Sequence, residues 1–279
     1  RVSPDSMGIF NVQLDLQAIS TLQICGSNKW AMLYAQPKGH YLIELPLEEA
    51  QTYYNQDMQE IELLFYQLDT TDINYRILGF EAWMDNYIAD IYQLKDIRSN
   101  EFILKVLAFK AETAAVYGNE TNAFLRDYIK YSVGLTIDNF SVVGGPSKED
   151  KYEFYLQTDS VAYDQPKLIE YARLFYEAYD SQVDLNVRNA VQIALQANSL
   201  DALIAALRQD PYIYNSSWAE FVALQLIIES EQTKRIAKDL SLALLRSLSI
   251  QGTQVGLRAA ARFQLQQLSK LSDSEIWDP

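Results

Sequence analysis

The side chains that could do chemistry are few and far apart. The only histidine, His40, stands in YAQPKGHYLIELP, and the only cysteine, Cys25, in STLQICG. A Ser-His-Asp or Cys-His device needs a base oriented by a third group, and the neighbours of His40, Gly39 and Tyr41, offer none. Its place after a turn on a short hairpin reads as an exposed polar strand residue. Cys25 lies in an alternating run and reads as a buried strand thiol, slow to label until the chain unfolds. With one histidine, one cysteine and neither a CxxC nor an HExxH spacing, a zinc-type cluster is excluded. GGPSKED lacks the spacing of a phosphate-binding loop, and Asp69/Asp72 is a weak echo of a calcium loop. The carboxylate pairs Glu48/Glu49, Glu60/Glu62 and Glu149/Asp150 sit in polar or alternating contexts, where solvation explains them better than paired-acid catalysis. The residues therefore assign no catalytic, cofactor-binding or metal-ligating position, and no cofactor.

Bulk properties narrow the partners. A net charge of −14 without a basic stripe repels phosphate backbones and anionic lipid, which argues against nucleic acid and fits an extracytoplasmic setting. The longest apolar runs, such as SLALLRSLSI, fall well short of the roughly 20 residues of a membrane-spanning helix. Hydrophobic residues make up 49% of the 279, enough for a sizeable core. Most of the 19 tyrosines and 4 tryptophans fall on apolar stripes and are expected in that core.

The elements that would carry these residues change character along the chain. In the first part FNVQLDL aligns Phe10, Val12, Leu14 and Leu16. KWAMLYA aligns Trp30, Met32 and Tyr34, HYLIEL aligns Tyr41, Ile43 and Leu45, and EIELLFYQL aligns Ile61, Leu63 and Phe65. This period of two predicts a small antiparallel β-domain over 1–68, with turns at Gly26-Ser27-Asn28 and Pro37-Lys38-Gly39. From 69 to 279 the period becomes helical. Stripes run through Ile77, Phe80, Met84, Ile88 and Ile91, then Phe102, Val106, Phe109, Thr113 and Val116, then Phe124, Tyr128, Tyr131 and Leu135. SVVGGPSKED, 141–150, interrupts the pattern as an exposed loop and marks the expected internal break of the helical domain. Pro166 opens a helix, Asp210-Pro211 ends one, and WAEFVALQLII is apolar nearly all round, as a central buried helix would be. The expected class is α+β, mostly α: a small antiparallel β-domain followed by an irregular array of helical hairpins without a fixed repeat.

MLYAQPKGHYLIELP resembles a segment near the start of extracytoplasmic Bacteroidota proteins that often end in a thioredoxin-like thiol–disulfide domain. YEFYLQTDSVAYDQPKLIEYARLFYEAY and LDALIAALRQDPYIYNSSWAEFVALQLI are similar to the helical region that follows there, so the likeness of pattern covers nearly the whole chain. Two departures stand out: the family's Pro-Gly turn is Pro37-Lys38-Gly39 here, and the chain stops at LSKLSDSEIWDP, about where the thioredoxin-like part would begin, without a CxxC. With the missing chemistry, the acidic balance and the β-then-α layout, the resemblance points to a non-enzymatic interaction or scaffold module of an outer-membrane-associated complex, with protein partners and a lipid anchor expected on a segment preceding Arg1. The accessory part of a thiol–disulfide oxidoreductase and a glycan-binding surface lipoprotein are the alternatives it leaves open. DSM, DTT and DSV, at Asp5, Asp69 and Asp159, match the short pattern that Bacteroidota glycosylate.

Overall fold

Strand β1 (Ser20–Gly26) pairs antiparallel with β2 (Lys29–Ala35) from Ser20↔Ala35 to Gly26↔Lys29. In this computed structural model the described residues are 8–26, 29–46, 59–94, 96, 99–140 and 142–274. Two-residue β4 (Gln59–Glu60) joins the start of β2 in parallel, and the Ile61 N–H donates to the Trp30 carbonyl at 2.8 Å. A second, antiparallel sheet holds β3 (Leu42–Glu44) and β5 (Leu64–Gln67), with a register shift between Leu42 and Ile43. Eleven α-helices follow among the described residues, so the fold is α+β and mostly α, as expected.

The strand segments depart from their sequence reading in several places, among them EIELLFYQL, which is divided between β4 and β5 of different sheets. Residues 9–16 form no strand, and Phe10, Val12 and Leu14 are exposed. Alternation makes a strand only where a partner supplies the ladder, and pairing is a non-local property. β2 buries Ala31, Leu33 and Ala35 on the face opposite to the one its large residues suggested, leaving Trp30 and Met32 half-buried, and Tyr34 is buried as well. Finally, the Pro-Lys-Gly turn does not close a hairpin, because β2 and β3 belong to different sheets.

That turn does a different job. The Gly39 N–H donates to the Gln36 carbonyl at 2.9 Å, with Pro37 second and Lys38 third at φ 62°. This is the order of a type II turn, with lysine where glycine is usual. The chain then swings so that the Tyr41 hydroxyl accepts from the Gln36 N–H and donates to Asp72, each at 3.0 Å. Asp72 is the buried N-cap of α1 (Ile73–Gln93) and accepts from the Asn74 N–H at 2.8 Å. Asn74 in turn brackets Tyr34, accepting from its N–H at 3.0 Å and donating to its carbonyl at 2.9 Å. Strand and helix are thus tied by a closed set of buried polar contacts.

The chain forms two compact units, 1–105 with 114–129, and 106–113 with 130–279. The expected division at 68/69 is where strand gives way to helix; the compact units are a separate division. The first unit contains the strands, α1, both ends of α2 (Asn100–Tyr117) and the start of α3 (Ala123–Phe140). Its rings meet edge-on: Tyr34 on Tyr128 at 5.7 Å and Phe80 on Tyr117 at 5.4 Å between centroids. The α2 stripe is buried at Phe102, Val106, Phe109 and Thr113, whereas Val116 is exposed.

In the second unit, Ser147 and Asp150 form a capping box that starts α4 (Lys148–Lys151), which runs into a π-helical turn at Tyr152–Leu156. Next come α5 (Pro166–Phe175), α6 (Tyr179–Gln182), α7 (Leu185–Gln196) and α8 (Leu200–Leu207), then α9 (Ser216–Gln232), α10 (Lys238–Gln251) and α11 (Val255–Ser274). Asp184, Ser199 and Asn215 cap α7, α8 and α9 through side-chain oxygens, and Pro166 opens α5 as expected. Helix α9 is the centre, packed on α8, α10 and α11. Trp218 is fully buried in it, with Nε1 donating to the Thr158 carbonyl at 3.1 Å. Its one buried charge, Glu220, accepts from the Thr253 N–H at 3.0 Å and the Thr253 hydroxyl at 2.7 Å.

Candidate functional site

His40 is exposed between the Pro37 turn and β3. Cys25, expected inside, is exposed: β1 turns Leu22 and Ile24 toward the protein and Gln23 and Cys25 outward, with Cys25 opposite Trp30. The period of two was legible, but its phase depends on which side of the hairpin is covered. Glu60, Glu62, Glu149 and Asp150 are exposed, and Glu48/Glu49 and Asp5 lie outside the described residues. Asp150 receives the Ser147 hydroxyl and N–H, and these bonds hold its carboxyl below the usual aspartate value. The Thr71 N–H and hydroxyl, both at 2.7 Å, do the same for Asp69. Thr70 and Ser160, the hydroxyl positions of DTT and DSV, are both exposed. Among the described residues, no group of three or more His, Cys, Asp and Glu side chains is placed to hold a metal ion.

The arrangement best suited to binding lies in the second unit, around the π-helical turn. A cleft of about 150 Å³ is lined by Leu107 and Lys110 of α2, Ile137 of α3, Pro146, Asp150 of α4, and Phe154 and Tyr155 of the π turn. The π turn has a local cause in its wider hydrogen bonding, with the Gln157 N–H reaching back to the Tyr152 carbonyl at 3.0 Å. Such turns re-aim side chains and recur at functional positions. Here Tyr155 is buried while the adjacent Phe154 is 46% exposed at the mouth of the cleft. Beside it, Val142 to Gly145 form a tight turn in which the Gly145 N–H donates to the Val142 carbonyl at 3.1 Å and Gly144 sits at φ 82°. The turn presents Val143, 83% exposed, at its tip.

Charge is placed at the mouth as well. The Lys110 ammonium stands 3.5 Å above the Phe154 ring centroid, and Lys130 approaches the same ring at 4.9 Å. Behind the mouth the wall is aromatic: Tyr155 meets Tyr171 at 4.5 Å and Tyr131 at 6.2 Å. These rings reach the backbone of α3 because position 134 is glycine; a Cβ there would stand 2.8 Å from Tyr171 Cε2 and 2.9 Å from Tyr155 Cε1. Burial, and then the neighbouring Asp138, hold the Tyr155 and Tyr171 hydroxyls protonated far above the usual phenol value. Asp138 itself pairs with Lys151 at 2.9 Å. A largely apolar slot with ammonium groups at its rim and Asp150 in its lining is equipped to hold a side chain.

No sequence reading singled out this cleft. Its lining comes from α2, α3, a loop, α4 and the π turn, and periodicity within one segment cannot reveal a surface shared by five. The exposed aromatic in YEFYL was the available signal. Compared with protein-family models, curated proteins and solved structures, the chain matches none of them.

Proposed function

We propose that this chain is a non-enzymatic protein-interaction module that seats an apolar side chain of a partner protein, next to an acidic residue, in the cleft at Phe154. The carrying observation is the cleft itself: an apolar slot of about 150 Å³ with Lys110 and Lys130 converging on its exposed ring. The volume suits one side chain rather than a cofactor. The two ammonium groups supply a local positive field in a chain of net charge −14, which a carboxylate flanking the inserted side chain would meet. Val143 and the half-exposed Leu107 extend the apolar contact beyond the slot. The setting, an outer-membrane-associated complex of a Bacteroidota cell envelope, rests on the resemblance of MLYAQPKGHYLIELP and the helical segments alone.

The test is purification from the native envelope of the wild-type chain and of Phe154→Ser and Lys110→Glu variants. A stoichiometric protein partner is expected with the wild type and lost with both variants at unchanged melting temperature. A photo-crosslinker at position 154 should join a partner segment in which an apolar residue neighbours Asp or Glu. Recovery of the wild type as a clean monomer, or a partner retained by both variants, overturns the reading.

A further inference from the structure

A second concavity in the helical unit has the opposite character. The residues around it are all polar or charged, Asp180 and Ser181 of α6, Arg188, Asn189 and Gln192 of α7, and Arg235 after α9, around an open volume of about 390 Å³. Asn189 and Gln192, three apart on α7, share one face with Arg188. Arg235 is aimed from the far side by an ordered helix end. The Arg235 N–H donates to the Ser230 carbonyl at 2.8 Å and the Lys234 N–H to Glu231 at 3.0 Å, with Lys234 left-handed at φ 55°. This is a Schellman stop made without glycine. Ala178, just before α6, is left-handed too, at φ 49°. Two of the four described non-glycine residues with positive φ thus flank one groove, and backbone held in this way tends to mark positions that must be aimed.

The charges are unevenly spent. Arg235 pairs with Asp180. Arg188 has only a long contact to the Val183 carbonyl, 3.5 Å, and its Nε is shielded from solvent without an acceptor among the described residues. Nε is as closed to a ligand as to water, so an incoming acceptor would be met by the terminal nitrogens of the guanidinium, whose one contact among the described residues is the long one to Val183. Ser181 has used its proton on the Ala178 carbonyl at 2.8 Å, which leaves its oxygen to accept. The fork of Arg188 fits a planar carboxylate, while the amides of Asn189 and Gln192 and the Ser181 oxygen fit hydroxyl groups. Screening over about 10 Å means a small anion responds to this local charge, whereas an acidic macromolecule meets the repulsion of the whole chain.

We infer that this groove binds a small hydroxylated carboxylate, of the chemical class of a sugar acid, with Arg188 holding the carboxylate and α7 reading its hydroxyls. Titration calorimetry of the full chain with sodium glucuronate, D-glucose and inorganic phosphate tests it. Saturable binding of glucuronate alone is expected, weakened at least tenfold by Arg188→Met and less by Arg188→Lys. Because Arg188→Met also removes buried contacts, Gln192→Ala on the same face provides a second reading and should weaken binding severalfold with unchanged melting. No saturable heat with glucuronate, equal binding of glucose or of phosphate, or full affinity in both Arg188→Met and Gln192→Ala overturns the assignment.

Discussion

The strand-bearing unit and the helical unit are held together by different means. In the β3–β5 sheet no residue is buried: Ile43 and Phe65 are half-buried and the others exposed. In α9, Trp218, Phe221, Val222, Leu226 and Ile227 are all buried around the helix. The first unit compensates with directed polar contacts, the set linking Tyr34, Asn74, Asp72 and Tyr41. Apolar packing tolerates exchange of similar volumes, whereas a closed polar set fails when one member goes, because the partners stay buried without bonds.

The largest expected effect tests the helical side of this contrast. Trp218→Ala removes a fully buried ring and the bond to Thr158, and should cost about 3–5 kcal/mol in denaturant unfolding. Leu42→Ala and Leu64→Ala, equally apolar but more than half exposed, should change stability by less than about 0.5 kcal/mol. If the Leu64 change rivals that of Trp218, the strand unit has a covered face and the contrast fails.

Next comes the polar set. Asn74→Ala removes the side chain that accepts from the Tyr34 N–H and donates to its carbonyl, leaving that carbonyl the longer 3.5 Å contact from the Tyr41 hydroxyl, and should cost about 2 kcal/mol, far beyond the side chain's small apolar content. Hydrogen exchange resolved along the chain should show the loss at β2 and the first turn of α1. Uniform loss across α9 to α11 instead would mean that the polar set does not belong to the first unit alone.

About 1 kcal/mol is expected, in the opposite direction, from Ala178→Gly and Lys234→Gly, since each relieves a left-handed L-residue. Melting temperatures check it, and a drop at either site would show that the side chain, not the backbone, sets that conformation.

Responses to pH separate the regions further. Glu120 is partly desolvated, which alone would raise its carboxyl, but the Asn122 N–H and Arg76 outweigh burial and hold it below the ordinary 4.5. A depressed folded value gives stability that is present above 4.5 and lost as pH falls through the folded value. Acid melts should therefore loosen the first unit, and Glu120→Gln should flatten that loss. The tyrosines act at the other end. Burial raises Tyr41 to about 12 and holds Tyr163, Tyr171, Tyr176 and Tyr179 well above the ordinary phenol value. A raised folded value means stability present below the ordinary 10.0 and lost as pH climbs above it, chiefly in the helical unit where most of these rings lie. The smallest change in stability belongs to Cys25→Ser, near zero, although the native thiol should label quickly because it is exposed.

Legibility in the sequence follows the kind of element rather than the unit. Helices could be read because each apolar stripe repeats within its own segment: Ile77, Phe80 and Ile91, or Leu257, Ala261 and Leu268, are all buried. Strand faces were harder, since β2 buries Ala31, Leu33 and Ala35 along with Lys29 and Tyr34, and alanine gives little hydrophobic signal beside the half-buried Trp30 and Met32. The pairing of β3 with β5 instead of β2 depends on residues far apart in the chain. Sites were the least legible. Arg188 and Arg235, or Lys110 and Phe154, look like ordinary surface residues until the fold places them together.

Gly134 carries a consequence for how this sequence can drift. The rings of Tyr155 and Tyr171 occupy the space that any side chain at 134 would need. An alanine arriving first meets both rings, and a smaller residue arriving first at 155 leaves a void. Tyr155→Leu removes the Tyr155 contacts and opens room into which the Tyr171 ring can shift, so Gly134→Ala with Tyr155→Leu should be more stable than the sum of the single losses predicts, a coupling that a double-mutant cycle reads directly. The route between the two solutions passes through a less stable intermediate, so in descendants of this chain the two positions should be replaced as a pair.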